Sequence, residues 1–416
     1  MTFGWRGPVF WATGAAMVCL LTVASTRGLA ASAQAGLRAE ALAPAGSPAV
    51  ASAEAGQAGP AQAPLTSDNS FKSIQVLKGI PIDTFFEVMG MFASSMGGDC
   101  TYCHSKDAVF NRDAFAEATP RIQRARQMIV MMNTINKTYF AGQTKVTCFT
   151  CHRAAYTPEI APRFALQYGT PIDDPNMMNF VVDPRASADK VLDKYLEALG
   201  GTGRLAKVSS VAGKGMYAGF DTGFAEVPVE VFAKAPNQRT TIVHMPYGQN
   251  VRVFDGRNGW FAGPDAPAPL VTLTSGVLDV ARMEALVAFP AGIKQAFSQW
   301  KVGSSAIDDR DVQIVQGTNP NSGLLPVNFY FDSSSGLLVR VVRWNDTPVG
   351  PVPTQVDYDD YRDVAGVKMP FTWTVSQTYM QMTIKLDALQ PNVPIDAARF
   401  ARPAPATAPR PTSPPR

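Results

Sequence analysis

Apolar residues along this chain change their spacing more than once, and each change marks an element. An uncharged, mostly apolar run from Val9 to Ser25 follows a single Arg6. Residues 34–68 then lose nearly all large apolar side chains and become Ala, Gly, Pro and Ser. Such a composition cannot bury enough surface to offset chain entropy, so a flexible tether is expected. Phe71 to Ile80 reads as extended or irregular. Pro81 is suited to a first helical position, and Phe85, Met89, Phe92 and Met96 then recur at i, i+4, i+7 and i+11. This predicts a helix to about Met96, stopped by Gly97-Gly98. Thr119-Pro120 opens a second helix to about Phe140, with Met128, Met132, Ile135 and Tyr139 on one face and Met131 beside it. Gly142 closes it.

Residues 166–185 are rich in Pro and Asp and read as a linker. Ser187 caps a third helix with Val191, Leu192, Tyr195, Leu196 and Leu199 at core spacing, closed by Gly200-Gly201. Beyond it the period drops to two. Val229–Phe232, Thr241–Val243, Val251–Phe254, Phe329–Phe331, Leu338–Val342, Val356–Tyr361, Phe371–Val375 and Met380–Leu386 read as strands. Turns at Asp255-Gly256, Ser335-Gly336 and Ala365-Gly366 make them antiparallel hairpins. Residues 279–299 interrupt them with helical spacing. The last stretch, 401–416, is Pro, Ala and Arg, a disordered basic tail. The expected fold is multidomain: a small α-helical domain over 69–165, then an α+β domain over 186–400 dominated by a curved antiparallel sheet.

Composition narrows the setting. At 416 residues and 46% hydrophobic content, two globular domains are affordable. A net charge of +3 gives no nucleic-acid footprint. Residues 1–33 read as an export signal, with Ala31-Ser32-Ala33 as the cleavage site. An uncleaved anchor is the other reading, because the uncharged run between Arg6 and Arg27 is just long enough to span a bilayer. Cys19 follows Val18, where a lipidation site wants a small residue. Both readings put the rest of the chain outside the cytoplasm, periplasmic or tethered to the membrane.

The chemistry is concentrated in two short motifs. Cys100-Thr101-Tyr102-Cys103-His104 and Cys148-Phe149-Thr150-Cys151-His152 are both C-x-x-C-H, the attachment signature of a c-type haem. Two thiols must reach one porphyrin edge while the adjacent imidazole turns under the iron, which requires this short loop. Of five Cys and three His in the chain, four Cys and two His fall in these motifs. A thiol-redox pair would want a βαβ setting, and a zinc site would not require His after both second cysteines. Two covalently attached haems are therefore expected, with His104 and His152 as proximal ligands.

The helix before each motif carries methionine, the usual second axial ligand in cytochromes c. Met89 lies mid-stripe, whereas Met91 is about 200° away around the helix and cannot share its face. Met96 is close enough to Cys100 to pack on the porphyrin edge. Met89 is thus the expected distal ligand of the first haem, against the commoner role of Met as core filler. For the second, Met128, Met131 and Met132 are all candidates. His244, the remaining histidine, is on a predicted strand, where a surface or core role is the commoner one.

These segments resemble a known family. Phe85 to His104, FFEVMGMFASSMGGDCTYCH, is similar to the third haem segment of the photosynthetic reaction-centre cytochrome c subunit. Arg124 to His152, with ARQMIVMMNTINKTYF and VTCFTCHR, is similar to its fourth. The resemblance spans roughly residues 70–160. Met89 matches that family's axial Met. The family's subunit carries four haems, and this chain has only the last two. There the last haem takes its sixth ligand from a His in the first half, which is missing here. Met131 has a non-ligating counterpart in the family, so the comparison leaves Met128 as a replacement ligand, or an unfilled position. The later helix and hairpins resemble, in pattern, the half-barrel of lipoprotein-carrier and lipoprotein-sorting proteins. That implies an apolar concave face for an acyl chain or a partner, or a filled structural core.

The resulting expectation is an exported dihaem cytochrome that passes single electrons between a redox donor and acceptor, such as a membrane photosynthetic or respiratory complex, without a substrate-converting active site. Two rivals differ in kind. A dihaem peroxidase would need one open iron, and no acid–base His is to hand. A lipid- or partner-binding protein would keep the haems as accessories.

Overall fold

The computed structural model describes residues 65–109, 111–169, 176–264, 266 and 268–407. The expected export segment, nearly all of the tether and residues 408–416 of the tail lie outside the described residues. Residues 62–416 form one compact unit. Among the described residues no helix is long and apolar enough to cross a membrane.

The first hundred described residues are helical. They hold α1 (Ser67–Ser70), α2 (Ile82–Met96), α3 (Pro120–Tyr139), α4 (Cys148–His152) and α5 (Phe164–Tyr168). α2 ends where Gly97 takes φ 63°, a left-handed cap that glycine adopts without strain. α3 starts as its sequence requires: the Thr119 hydroxyl accepts from the Ile122 N–H and Pro120 occupies the first turn. α6 (Ala188–Ala198), α7 (Thr202–Leu205) and α8 (Ser275–Ala288) accompany the sheet.

Thirteen described strands make one antiparallel sheet. They are β1 (Ser210–Gly219), β2 (Val227–Lys234), β3 (Gln238–Met245), β4 (Gly248–Phe254), β5 (Gly259–Ala262) and β6 (Val271–Thr272). After α8 come β7 (Gln299–Ile307), β8 (Arg310–Thr318), β9 (Val327–Asp332), β10 (Leu338–Thr347), β11 (Gly350–Val364), β12 (Val367–Gln377) and β13 (Gln381–Pro391). The order is β6-β5-β4-β3-β2-β1-β13-β12-β11-β10-β9-β8-β7. Two meanders thus meet where the first strand pairs with the last, and α8 carries the chain from one edge to the other. This is the expected half-barrel: a curved open sheet whose inner face wraps α6 and part of α8.

Alternation along each strand sorts the side chains into two cores. On the inner face Val229, Val231, Phe329, Phe331, Phe371 and Trp373 pack on Leu192, Tyr195 and Leu196 of α6. On the outer face Val312, Ile314, Tyr330, Val342 and Trp344 are covered by Met178 and Phe180. The covering segment falls in the stretch expected to be a linker. It is fixed by main chain: Gln316 and Asn328 donate their side-chain amides to the carbonyls of Met178 and Met177.

Several elements differ from the sequence expectation, and three of them are instructive. β1 has no predicted counterpart, because Gly213 and Gly215 interrupt its apolar alternation. Gly215 sits at a register shift where a β-carbon would lie 2.0 Å from the Lys385 carbonyl oxygen, so only glycine permits this pairing. The helix expected over 279–299 instead ends at Ala288, before Pro290, and Gln299 already belongs to β7. β8 is likewise an unpredicted strand, its apolar residues being divided between the two faces.

Candidate haem-attachment site

The helix leading to the first motif is held from two sides. Its sheet side is polar: Asn345 on β10 donates to the Glu87 carboxylate, and the Thr274 N–H and hydroxyl donate to Asp83 at 2.6 and 2.9 Å. Burial pushes the Glu87 carboxyl up, against the pull of the Arg343 charge and the Asn345 amide. Burial also pushes Asp83 up, against the Thr274 bonds. Gly90 lets the helix close onto the β12–β13 turn, where a β-carbon would meet Thr378 and Tyr379. On its other side Phe85, Val88 and Met91 join Met132 of α3 in a core.

The face left over is the one the sequence marked as apolar. Of the stripe Phe85, Met89, Phe92 and Met96, only Phe85 is buried; the other three are half-buried. Burial follows Thr84, Val88, Met91 and Ser95 instead, because the sheet and α3 approach from those directions. Met91 is therefore a core residue, while Met89 is half-buried and packs at the edge of the same core.

Both motifs sit on short turns. Cys100–Tyr102 is a 3₁₀ turn capped by the Asp99 carboxylate, which accepts from the Thr101 N–H. Cys148–His152 is α4, capped by Thr147, whose hydroxyl accepts from the Thr150 N–H. Among the described residues these four cysteines form no disulfide. Burial pushes Cys100 and Cys103 above the usual thiol range and Cys148 up to about 11.

The two histidines share one arrangement. His104 Nδ1 lies 3.1 Å from the Phe115 carbonyl oxygen, and His152 Nδ1 lies 3.1 Å from that of Ala155. A carbonyl only accepts, so each Nδ1 carries the proton and each Nε2 keeps its lone pair. Burial also pushes His104 below its ordinary range, opposed by the Phe115 bond, which favours neutral imidazole. A carbonyl that accepts from one ring N–H in this way orients the imidazole, with its other nitrogen free for a metal.

The motifs are brought side by side. The Ala154 N–H donates to the Ser95 carbonyl at 3.0 Å, and a β-carbon on Gly97 would lie 2.3 Å from the Ala154 carbonyl oxygen. Tyr102, inside the first motif, stacks on Tyr156 with centroids 4.4 Å apart and planes at 4°. Arg121 covers the Tyr102 ring at 4.2 Å and donates to its carbonyl. α3 is tied in by Thr119, whose hydroxyl donates to the Cys103 carbonyl at 2.7 Å.

The methionines of α3 separate by burial. Met132 is 4% exposed and lies in the core with Phe85 and Val88, while Met131 is 48% exposed. Met128 is half-buried. His244 is on β3, against Glu230 and Gln249. Sequence reasoning did not find Phe115, Ala155, Tyr156 or Arg121. The first two act through main chain, which no side chain advertises; the others act through contacts set only by the fold.

Residues 24–165 match the family model of the photosynthetic reaction centre cytochrome c subunit. No curated protein sequence matches the chain. Solved structures resemble the sheet. A LolA superfamily protein from Nitrosomonas europaea is 12% identical, with 52% of this chain and 98% of that one covered and a TM-score of 0.35. A DUF1329 family protein from Desulfovibrio piger is 9% identical, covering 51% and 96%, also at 0.35. An outer membrane lipoprotein-sorting protein domain from Vibrio parahaemolyticus is 10% identical, covering 50% and 97%, at 0.34.

Proposed function

We propose that this chain is an exported dihaem c-type cytochrome that passes single electrons. The carrying observation is the paired histidine arrangement: in both C-x-x-C-H segments Nδ1–H is given to a main-chain carbonyl and Nε2 is left bare. Cys100 and Cys103 would hold the first haem by thioether bonds, and Cys148 and Cys151 the second. His104 and His152 would be the proximal ligands. Met89, on the half-buried face of α2, would be the distal ligand of the first haem, and Met128 that of the second. When bound, each haem supplies an iron that cycles between ferric and ferrous states.

The chain's own residues supply the rest. Phe115 and Ala155 fix the imidazole tautomers. The apolar stripe of α2 would shield a bound haem from water, and a methionine thioether ligand would favour the reduced state relative to a second imidazole. The Ser95–Ala154 bond and the Tyr102–Tyr156 stack keep the two segments adjacent, as a relay requires. The partners would be a redox donor and acceptor, in a photosynthetic or respiratory membrane complex, met on the extracytoplasmic side.

Absorption spectra of the mature protein, oxidised and reduced, with and without carbon monoxide, test this reading. Two low-spin haems, a Met–iron band and no carbon monoxide shift are expected. A high-spin fraction that binds carbon monoxide would replace it with a peroxidase-type enzyme, and absence of covalent haem would end it.

One observation favours an added role for the sheet. Its inner face encloses a cavity of about 310 Å³ lined by Tyr195, Val231, Phe289, Trp373 and Leu386, with Arg239 and Glu284 among its polar groups. That lies at the lower end of small-ligand pockets. Lipid extracted from the purified full chain would support an apolar ligand there. A cavity that stays empty when the chain is offered acyl chains would leave the sheet structural.

A further inference from the structure

We infer that the tip of the β10–β11 hairpin positions the second C-x-x-C-H segment, through Val349, Gly350 and Val352. The segment entering that motif, 143–147, has no regular structure of its own. It is held between two clamps. On one side Asn136, buried on α3, donates to the Val146 carbonyl at 2.8 Å and accepts from the N–H groups of Lys145 and Val146 at 3.1 and 2.9 Å. On the other side stands the hairpin, about two hundred residues later in the chain.

The hairpin tip is itself rigid. The buried Thr347 hydroxyl donates to the Gly350 carbonyl at 2.6 Å and accepts from the Val349 N–H at 3.3 Å. The tip leaves the sheet's own cores and enters that of the helices. Val349 and Val352, 0% and 1% exposed, pack with Phe85, Val88, Met91 and Met132, and Val146 and Cys148 line the same cluster. Gly350, at φ 121°, closes the contact: a β-carbon there would lie 2.5 Å from Thr147 Cγ2 and 3.8 Å from Met91 Cε. Thr147 is the residue whose hydroxyl caps α4. The chain of contact runs from sheet to Gly350, to Thr147, to the helix that carries Cys148, Cys151 and His152. The same valines touch α2, which carries Met89. A strain in β10 or β11 would therefore reach the second motif directly. These three residues are positioning residues, since none of them ligates.

The functional consequence rests on the dihaem reading, but the positioning itself does not. The test uses the full chain with Val349→Ala, and Val312→Ala as control. Val312 is equally buried, at 0% exposure, in the outer-face core away from the helices. Both should lower global stability alike. Val349→Ala should also speed amide exchange over residues 145–155 by roughly tenfold more than the control does. In the haem-loaded protein it should shift at least one midpoint potential, whereas Val312→Ala shifts neither and Val349→Ile restores the original value. Equal exchange in the two alanine variants, or unchanged potentials in Val349→Ala, would overturn the inference. Were no haem incorporated, the dihaem reading would fall and the exchange comparison alone would decide this one. If Val349→Ala does not fold, Val352→Ala carries the same comparison.

Discussion

At the scale of single residues, position on a helix face separates the methionine proposed as a ligand from a packing group of the same type. Met89 and Met91 are two apart on α2, yet Met91 is buried with Val88 and Met132 while Met89 is half-buried at the edge of that core. Met89→Leu should therefore abolish the Met–iron absorption band of the first haem and lower its midpoint potential. Met91→Leu should leave both unchanged and cost less than about 1.5 kcal/mol, as near-isosteric core swaps do. Identical spectra for both variants would remove Met89 from the site. A second residue-scale prediction concerns pH. Burial raises the Asp332 carboxyl, but the hydroxyls of Ser334 and Ser335, the Ser335 N–H and the Arg310 charge outweigh it and hold it at about 2. A depressed carboxyl stabilises the fold above the unfolded value of 3.8 and loses that contribution as pH falls toward 2. Asp332→Asn should cost about 1–2 kcal/mol at pH 7, allowing for solvent screening, and less than about half of that at pH 2.5. Chemical denaturation of both proteins at pH 7 and pH 2.5 measures the difference.

At the scale of elements, caps and close approaches decide how the motifs are presented. Thr119 closes the first turn of α3 and bonds the Cys103 carbonyl with one hydroxyl. Thr119→Ala should cost about 1 kcal/mol for the lost cap, and Thr119→Ser should restore most of it, as thermal unfolding would show. The start of α3 was legible in the sequence because Thr-Pro is a local signal with a local cause. The same holds for the Gly97 stop of α2 and every hairpin turned by Asp-Gly, Ser-Gly or Ala-Gly; the third helix was legible from its apolar spacing, although the expected Ser187 cap makes no side-chain bond. β1 was not legible, because its glycines are explained by β13, which lies far along the chain. Nor was the buried face of α2. Its period of apolar residues marks Met89, Phe92 and Met96, whereas the sheet buries Glu87 and Gly90 on a polar side that periodicity scores as solvent. Hydrophobic spacing reports which faces avoid water, and it is silent about a face buried through paired polar groups.

At the scale of the whole molecule, the composition of the connecting segments suggested separable parts, while the packing joins them. A Pro- and Asp-rich stretch between helices and strands reads as a linker, yet its described residues cover an outer core of the sheet. Val349 and Val352 of the hairpin share a core with three elements that precede the sheet. Asn345 reaches Glu87 across the same boundary, with Arg343 buried nearby and lacking a hydrogen-bond partner of its own among the described residues. Two parts that share a dry core cannot expose it in one without exposing it in the other, so the free energies of opening are coupled. The described tryptophans, Trp260, Trp300, Trp344 and Trp373, all lie in the sheet, so their indole N–H NMR signals report on it. Haem absorption would report on the helical segment. The two signals should follow one urea transition with a common midpoint. Val349→Ala should split them, the haem signal moving to lower urea, because the contact that transmits cooperativity is the one removed. Two separate transitions in the unmodified chain would mean that the hairpin packs on the helices without coupling their stability.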